Sequence, residues 1–391
     1  MRIVYIGAFR MPNRDAAAAR VLNMARALRL AGHEVSFISW GGEQRDCDLC
    51  DDGRYRVDGF EYVVTDELDP KGNLMHKVHS KLTRGQKTKQ LLRQRTENID
   101  VIITYNGSLT RWLIGYTSKH GIKLVNDITE WYDYSELKIT DRIPYAIDMY
   151  CIQKRVKNKI VISSYLNAFY EKTHNIVVPA TCDAKEAKWQ KSPNTVLEHV
   201  GTYDGVTLIY AGTPARKDAV HHVINAVQRL INEGVKIRFL IVGTKRDSYL
   251  KSYGDLLSDK NLSKKIIFIG RVSQDDVPSY YALADFMVLL RESNRKNNAG
   301  FPTKFSESFM SGTPIIANLT SDLGKYLIDG KTGFVVREPN SEAIYETLKK
   351  RVSGLSPQEI EKMKSHVKEM SVQVDYHSYV LPLRTFMKQL E

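Results

Sequence analysis

NNAGFPTKFSESFMSGTPIIAN, from Asn297 to Asn318, is the stretch that decides how the rest of the chain is read. Gly300 and Pro302 mark a loop. Thr303 can cap a short helix through Lys304, Phe305, Glu307 and Met310, and Gly312 can close it in the left-handed conformation. The apolar run from Pro314 to Ala317 then reads as a buried strand. A glycine-rich turn feeding a helix N-terminus presents backbone N–H groups to phosphate, and a carboxylate nearby can accept from a ribose hydroxyl. The expectation is the floor of a nucleotide-binding cleft.

Upstream, strands are expected at Val206–Tyr210, Lys236–Gly243, Ile266–Gly270 and Phe286–Leu290, with a helix over Ala219–Glu233. With the strand at 314–317 they form a doubly wound α/β domain. Right-handed crossovers would put AGTPARK, GRVS, LLRES and the loop before Lys304 along one sheet edge. There Gly212 lets backbone approach a pyrophosphate while Arg216 and Lys217 neutralise it, unless they are only exposed charges on a turn. Gly270 and Arg271 end a strand where main-chain groups could read a base edge. Arg291 and Lys304 either contact phosphate or form structural salt bridges. Glu307 lies in an apolar surround where an unpaired carboxylate is costly; a ribose diol would resolve that cost, as would a salt bridge.

The first half opens with a βαβ unit: strand Arg2–Gly7, helix Ala16–Ala31, strand His33–Ser39. Its first turn has no G-x-G-x-x-G, which weakens a dinucleotide reading. Strands at Asp100–Tyr105 and Ile122–Val125 follow, the second running out into NDITEWYD. Asp127, Glu130 and Asp133, beside Trp131 and Tyr132, could bind a sugar there or merely cap a helix. Another strand is expected at Lys159–Ser163. The expected domains are 1–185 and 206–371, joined by a linker over 186–205, with 372–391 returning to the first.

The 391 residues suit two or three domains, and 42% hydrophobic with 26% charged residues is ordinary globular usage. No run of about 18 apolar residues suggests a membrane span. The C-x-x-C at Cys47 and Cys50 is a weak metal signal beside the bland reading of structural thiols in a cytosolic, reduced protein. A formal charge of +12 calls for an anionic partner. The basic segment Lys71–Arg95 is either a contact for an anionic membrane or a solvated helix face. Aromatic residues are not interleaved with it, so nucleic acid is not expected as a partner.

Taken together, MRIVYIG, VVPATCD, AGTPARKD, FIGRVSQDDVPSYYALADFMVLL, GFPTKFSESFMSGTPIIAN and DGKTGFVV resemble glycosyltransferase family 4 along nearly the whole chain. The resemblance implies the GT-B fold, two Rossmann-like domains facing a central cleft, with a C-terminal helix crossing back to the first. It implies a retaining transferase taking a UDP- or GDP-type nucleotide sugar without a metal or other cofactor. Lys217 and Arg216 would stabilise the leaving diphosphate, and Gly212, Gly270, Arg271, Arg291, Gly300, Phe301, Lys304 and Glu307 would hold the donor. The acceptor, a glycan or polyprenyl-linked precursor of surface polysaccharide, would sit near Phe9, Arg10, Asp127 and Glu130. Cytoplasmic work at a membrane periphery is the expected setting.

Three departures from the family's pattern stand out. The first glutamate of its E-x(7)-E pair would fall on Ala299, so the donor sugar would be held otherwise, by the Gly300 and Phe301 backbone or by Asn297 and Asn298. Thr213 stands where an arginine is expected. DITEWYD replaces a segment that often carries histidine, leaving Glu130 or Asp127 to take its place. The rival readings are a nucleotide-sugar epimerase of the same fold and a non-catalytic protein binding nucleic acid or membrane through its charge.

Overall fold

In the computed structural model, residues 1–68, 83–94 and 99–390 are described. The chain divides into two compact units: Met1–Thr181 with Tyr376–Glu391, and Cys182–Asp375.

Eight strands form the sheet of unit 1 among the described residues: β1 (Arg2–Met11), β2 (Glu34–Gly42), β3 (Tyr55–Val57), β4 (Phe60–Val64), β5 (Val101–Tyr105), β6 (Lys123–Ile128), β7 (Asn158–Val161) and β8 (His174–Val177). Their order is β3-β4-β2-β1-β5-β6-β7-β8, and all pairs are parallel except β3 with β4. Near-continuous apolar runs such as VIITY suit strands covered on both faces, and β5 is buried throughout. Asp15 caps the helix Ala16–Leu30, accepting from the Ala18 N–H at 2.8 Å. The loop expected after Gly7 is instead strand as far as Met11, with a register shift against β2 between Gly7 and Arg10. Phe9, expected beside an acceptor, is fully buried in that extension and packs edge-on against Tyr5, Phe37 and Tyr105.

The C-terminal segment returns as expected. Helix Val380–Lys388 puts Leu383, Phe386 and Met387 into the same core as the first helix, and the Phe386 ring stacks on His174 at 4.7 Å. Leu383→Ala is therefore expected to cost unit 1 about 2–5 kcal/mol in urea unfolding, the usual loss for a fully buried leucine.

Most of the basic segment, 71–82 and Arg95, lies outside the described residues. Its described part folds into a helix, Gln86–Gln94. There Lys89 and Arg93 lie 5.7 and 5.9 Å from the Trp112 ring, and Lys87 Nζ donates to the Thr65 carbonyl. These cations contact neighbouring groups, while Lys87 and Arg93 stay exposed to solvent.

Unit 2 holds six parallel strands: β9 (Val206–Ala211), β10 (Ile237–Val242), β11 (Ile266–Gly270), β12 (Phe286–Leu289), β13 (Ile315–Ala317) and β14 (Gly333–Val335). Their order β11-β10-β9-β12-β13-β14 is that of a dinucleotide-binding sheet, with its reversal between β9 and β12. The segment read as a linker belongs to this unit. It forms helix Asn194–Val200, whose Val196 is buried and whose C-terminal carbonyls, Val200 and Gly201, accept from the Arg238 guanidinium at 2.9 Å. Its polar composition reflects one exposed face rather than a free connector.

Candidate functional site

Ligands of open α/β sheets bind beyond the carboxyl ends of the strands where the order reverses. In unit 2 that point is the end of β9 and β12, and several of the expected residues meet there. Gly212 ends β9 with φ +133°, and a Cβ on it would fall 2.3 Å from Lys304 Cε. The positive φ favours glycine there, and the flexible Lys304 side chain crosses close to the strand end. Arg216 and Lys217 follow, exposed on a short 3-10 turn.

Asp218, which the sequence reading passed over, organises this cluster. Its carboxylate is buried and accepts from the Tyr210 hydroxyl at 2.6 Å, from Arg291 Nε at 3.0 Å and from Lys304 Nζ at 3.3 Å. Burial pushes this carboxyl up, yet Lys304, Arg291 and the Tyr210 hydroxyl hold it below the usual carboxylate range. Arg291 is thus the structural salt bridge of the two alternatives: it is buried, and its N–H donates to Asn318 Oδ1 at 2.8 Å. Lys304 is tied more loosely and remains partly exposed. Lys217, although exposed, has its ammonium pKa lowered, first by desolvation and then by Arg291, with Lys304 and Lys296 adding to the effect. Three cations, Lys304, Arg291 and Lys217, around one buried carboxylate leave an excess of positive charge at a strand end, the arrangement that suits a diphosphate.

Glu307 is the fifth residue of helix Thr303–Met310, which starts after Pro302 without the side-chain cap expected from Thr303. Gly312 ends the turn at φ +73°, as expected. The Glu307 carboxylate has no hydrogen-bond or ion-pair partner among the described residues. Burial pushes its pKa up, while the more distant Lys304 and Lys188 pull it down. Phe301 is buried against Phe305 and Tyr326, so only its backbone is available to a ligand. Gly300 follows the short helix Arg295–Ala299 in extended conformation.

Other expectations are corrected by the geometry. The Gly270 N–H donates to the Thr244 carbonyl at 3.0 Å and its carbonyl accepts from the Gly243 N–H at 2.7 Å, so the N–H is spent within the sheet edge. Arg271, next along, is exposed. Asn297 is buried with Nδ2 on the Glu292 carbonyl at 2.9 Å, and Asn298 Oδ1 accepts from the Ser321 N–H at 3.0 Å. Asn297 shapes the loop from inside, while Asn298 is half-exposed with its amide nitrogen on Ser293 Oγ at 3.3 Å. In unit 1, Asp127 is fully buried on β6. It takes Arg20 Nη2 at 2.7 Å, Arg20 Nε at 3.0 Å and the Tyr5 hydroxyl at 2.5 Å. Its lone pairs are consumed by that core ion pair, so it is no catalytic base. Trp131 is likewise buried, against Phe169 at 4.0 Å, which removes its expected role of stacking on a sugar. Glu130 is exposed just beyond β6 and accepts from the Tyr132 hydroxyl, and Asp133 is half-exposed.

Among the described residues there is no group of three or more His, Cys, Asp or Glu side chains placed to hold a metal ion, and no helix long and apolar enough to cross a membrane.

Two doubly wound units with a returning C-terminal segment define the GT-B fold class. Residues 199–367, which lie within unit 2, match the family model of glycosyl transferases group 1. The chain is 24% identical over 222 residues to the lipopolysaccharide 1,2-N-acetylglucosaminetransferase of Salmonella typhimurium, covering 53% of this chain and 56% of that protein. The chain thus spans little more than half the length of that relative. It is 22% identical over 306 residues to the capsular polysaccharide biosynthesis glycosyltransferase CapM of Staphylococcus aureus, covering 76% and 77%. The solved structure of Anabaena HepE in complex with UDP-glucose superposes over 100% of both chains with a TM-score of 0.70 at 13% identity. Fold, family match and relatives support a glycosyltransferase of GT-B type.

Proposed function

We propose that the chain is a retaining family 4 glycosyltransferase that moves a sugar from a UDP- or GDP-type donor to a hydroxyl of a glycan or polyprenyl-linked acceptor in surface polysaccharide biosynthesis. The observation that carries this reading is the unpartnered Glu307 carboxylate in the same unit as the Lys217, Arg216 and Lys304 cations. In the proposed reaction Glu307 accepts from the ribose hydroxyls, and Lys217, Arg216 and Lys304 stabilise the diphosphate as the anomeric C–O bond breaks. The acceptor oxygen bonds to the anomeric carbon on the face the diphosphate leaves, and its proton passes to the departing phosphate oxygen. The charge of the leaving group is met by the chain's own cations, without a metal cofactor. Glu130 is proposed to face the acceptor, and the work to take place in the cytoplasm at the membrane surface. HepE and the two polysaccharide enzymes support the donor and acceptor classes by analogy.

The test is a thermal-shift panel of UDP, GDP and their sugars, followed by NMR of the responding donor with acceptor glycans. Stabilisation by one diphosphate series and an α-configured product from an α-configured donor are expected. A donor that changes its sugar stereochemistry without any acceptor would point to an epimerase instead.

A further inference from the structure

An apolar stripe stands bare on unit 1, on the helix whose Tyr145 hydroxyl accepts from the Tyr132 N–H near Glu130. Helix Ile139–Ile147 follows the segment after β6, and none of its residues is buried. Ile139 is 80% exposed and Ile143 72%, with Ile147 and Tyr150 also exposed. Spacing of i, i+4 and i+8 advances only about 40° per step on a helix, so the three isoleucines share one face. A π-turn over Asp148–Ile152 carries the surface on to Tyr150. Isolated surface leucines or isoleucines are ordinary, but an aligned row is not.

Its borders are mostly cationic and aromatic, with the exposed Glu136 and the half-exposed Asp141 as carboxylates among them. Lys138 and Arg142 flank the first turn, and Lys154, Arg155 and Lys157 follow the last, all exposed. Tyr150 and Tyr165, both exposed, lean on the buried Trp131 ring at 6.1 and 5.8 Å. Alkyl side chains ringed by tyrosines and cations match the interface of an anionic bilayer, where apolar groups enter the acyl boundary and cations meet head groups. A second copy of the chain is a poorer occupant, because a two-fold contact through this face would bring its own cationic border against itself.

We propose that this face, residues 139–157, docks unit 1 on an anionic lipid surface, a role that the sequence had suggested for residues 71–95. It is independent of the catalytic reading, since it needs neither donor nor acceptor.

Sedimentation of the full chain with phosphatidylcholine vesicles, with and without phosphatidylglycerol, tests it, alongside Ile139→Ser/Ile143→Ser, Lys154→Gln/Arg155→Gln and Lys71→Gln/Lys77→Gln/Lys81→Gln. The wild type should pellet with anionic vesicles at about 0.1 M salt and be released as salt rises. The isoleucine variant should partition roughly tenfold less with an unchanged urea midpoint, both substitutions being at exposed positions. The Lys154/Arg155 variant should lose much of the preference for anionic vesicles, and the variant in the 71–81 stretch should bind as the wild type. The proposal is overturned if the isoleucine variant binds undiminished, if only the 71–81 variant loses binding, or if light scattering shows a wild-type dimer that becomes monomeric in the isoleucine variant without any vesicle binding.

Discussion

Asp127→Ala is expected to destabilise unit 1 by about 3–5 kcal/mol, the loss usual when one partner of a buried ion pair is removed. Arg20 is 4% exposed and has its Nη1 on the Val178 and Pro179 carbonyls at 3.0 Å, so it cannot swing out to water when its carboxylate partner is lost. The Tyr5 hydroxyl would lose its acceptor at the same time. Replacing the pair with apolar side chains of similar volume, Arg20→Met/Asp127→Leu, should recover much of the loss, because no charge is then stranded. Urea unfolding followed by circular dichroism reads both. In an assay of the folded fraction, transfer activity should follow folding alone, which separates a core ion pair from the acceptor-side base that the sequence suggested.

Lys217→Ala is expected to lower kcat/KM by about 10²–10³-fold, comparable to removing one preorganised group aimed at the charge of a transition state. Lys217 is exposed and makes no structural ion pair among the described residues, so stability should change little. Its lowered pKa adds a pH signature. Only the ammonium form stabilises a leaving diphosphate, so activity should fall as pH rises through a pKa below that of an ordinary lysine. Lys217→Arg keeps a charge that does not titrate in this range, and should retain activity on the alkaline side where the wild type loses it. Arg291→Ala should behave differently. It takes away one of the two cations bonded to the buried Asp218 carboxylate, leaving Lys304 and the Tyr210 hydroxyl, so its first effect is on folding, with a loss of about 1.5–3 kcal/mol in urea unfolding.

The alternation of strand and helix was legible because buried parallel strands are written as continuous apolar runs, and VIITY, VTLIY and FMVLL each became one. So was the edge of the second sheet, where Gly212, Lys217 and Lys304 gather beyond the end of β9 as the crossover rule required. What local sequence could not show was which charge pairs with which. Asp218 and Arg291 are 73 residues apart, and Arg20 and Asp127 107, so only the tertiary fold brings each pair together. A signal for the first existed, since an aspartate directly after two cations in AGTPARKD has to be neutralised once the strand end is buried. The strand extension from Ala8 to Met11 was hidden by Met11-Pro12 and the polar Asn13–Asp15, which read as loop. The helix at 194–200 was hidden by its seven-residue length and by the polar residues on its outer face.

Calorimetric titration of UDP and GDP into the wild type and Glu307→Gln, with Tm measured on both ligand-free proteins, addresses the donor site directly. Glu307 has a raised pKa in the folded state, so the native protein binds its proton more tightly than the unfolded chain. Stability therefore falls as pH rises from the ordinary carboxylate range through the folded pKa, and the cost persists above it. At pH 7 the neutral glutamine should thus raise the ligand-free Tm, by roughly 2–4 °C for each kcal/mol relieved. It should also weaken the bound diphosphate by about 1.5–3 kcal/mol, or roughly 10- to 150-fold, by removing a charged acceptor of the ribose hydroxyls. A more stable protein that binds its nucleotide less well is the predicted result. Equal affinity in both proteins, or a Glu307→Gln protein that is less stable, would contradict a carboxylate held unpaired for the donor.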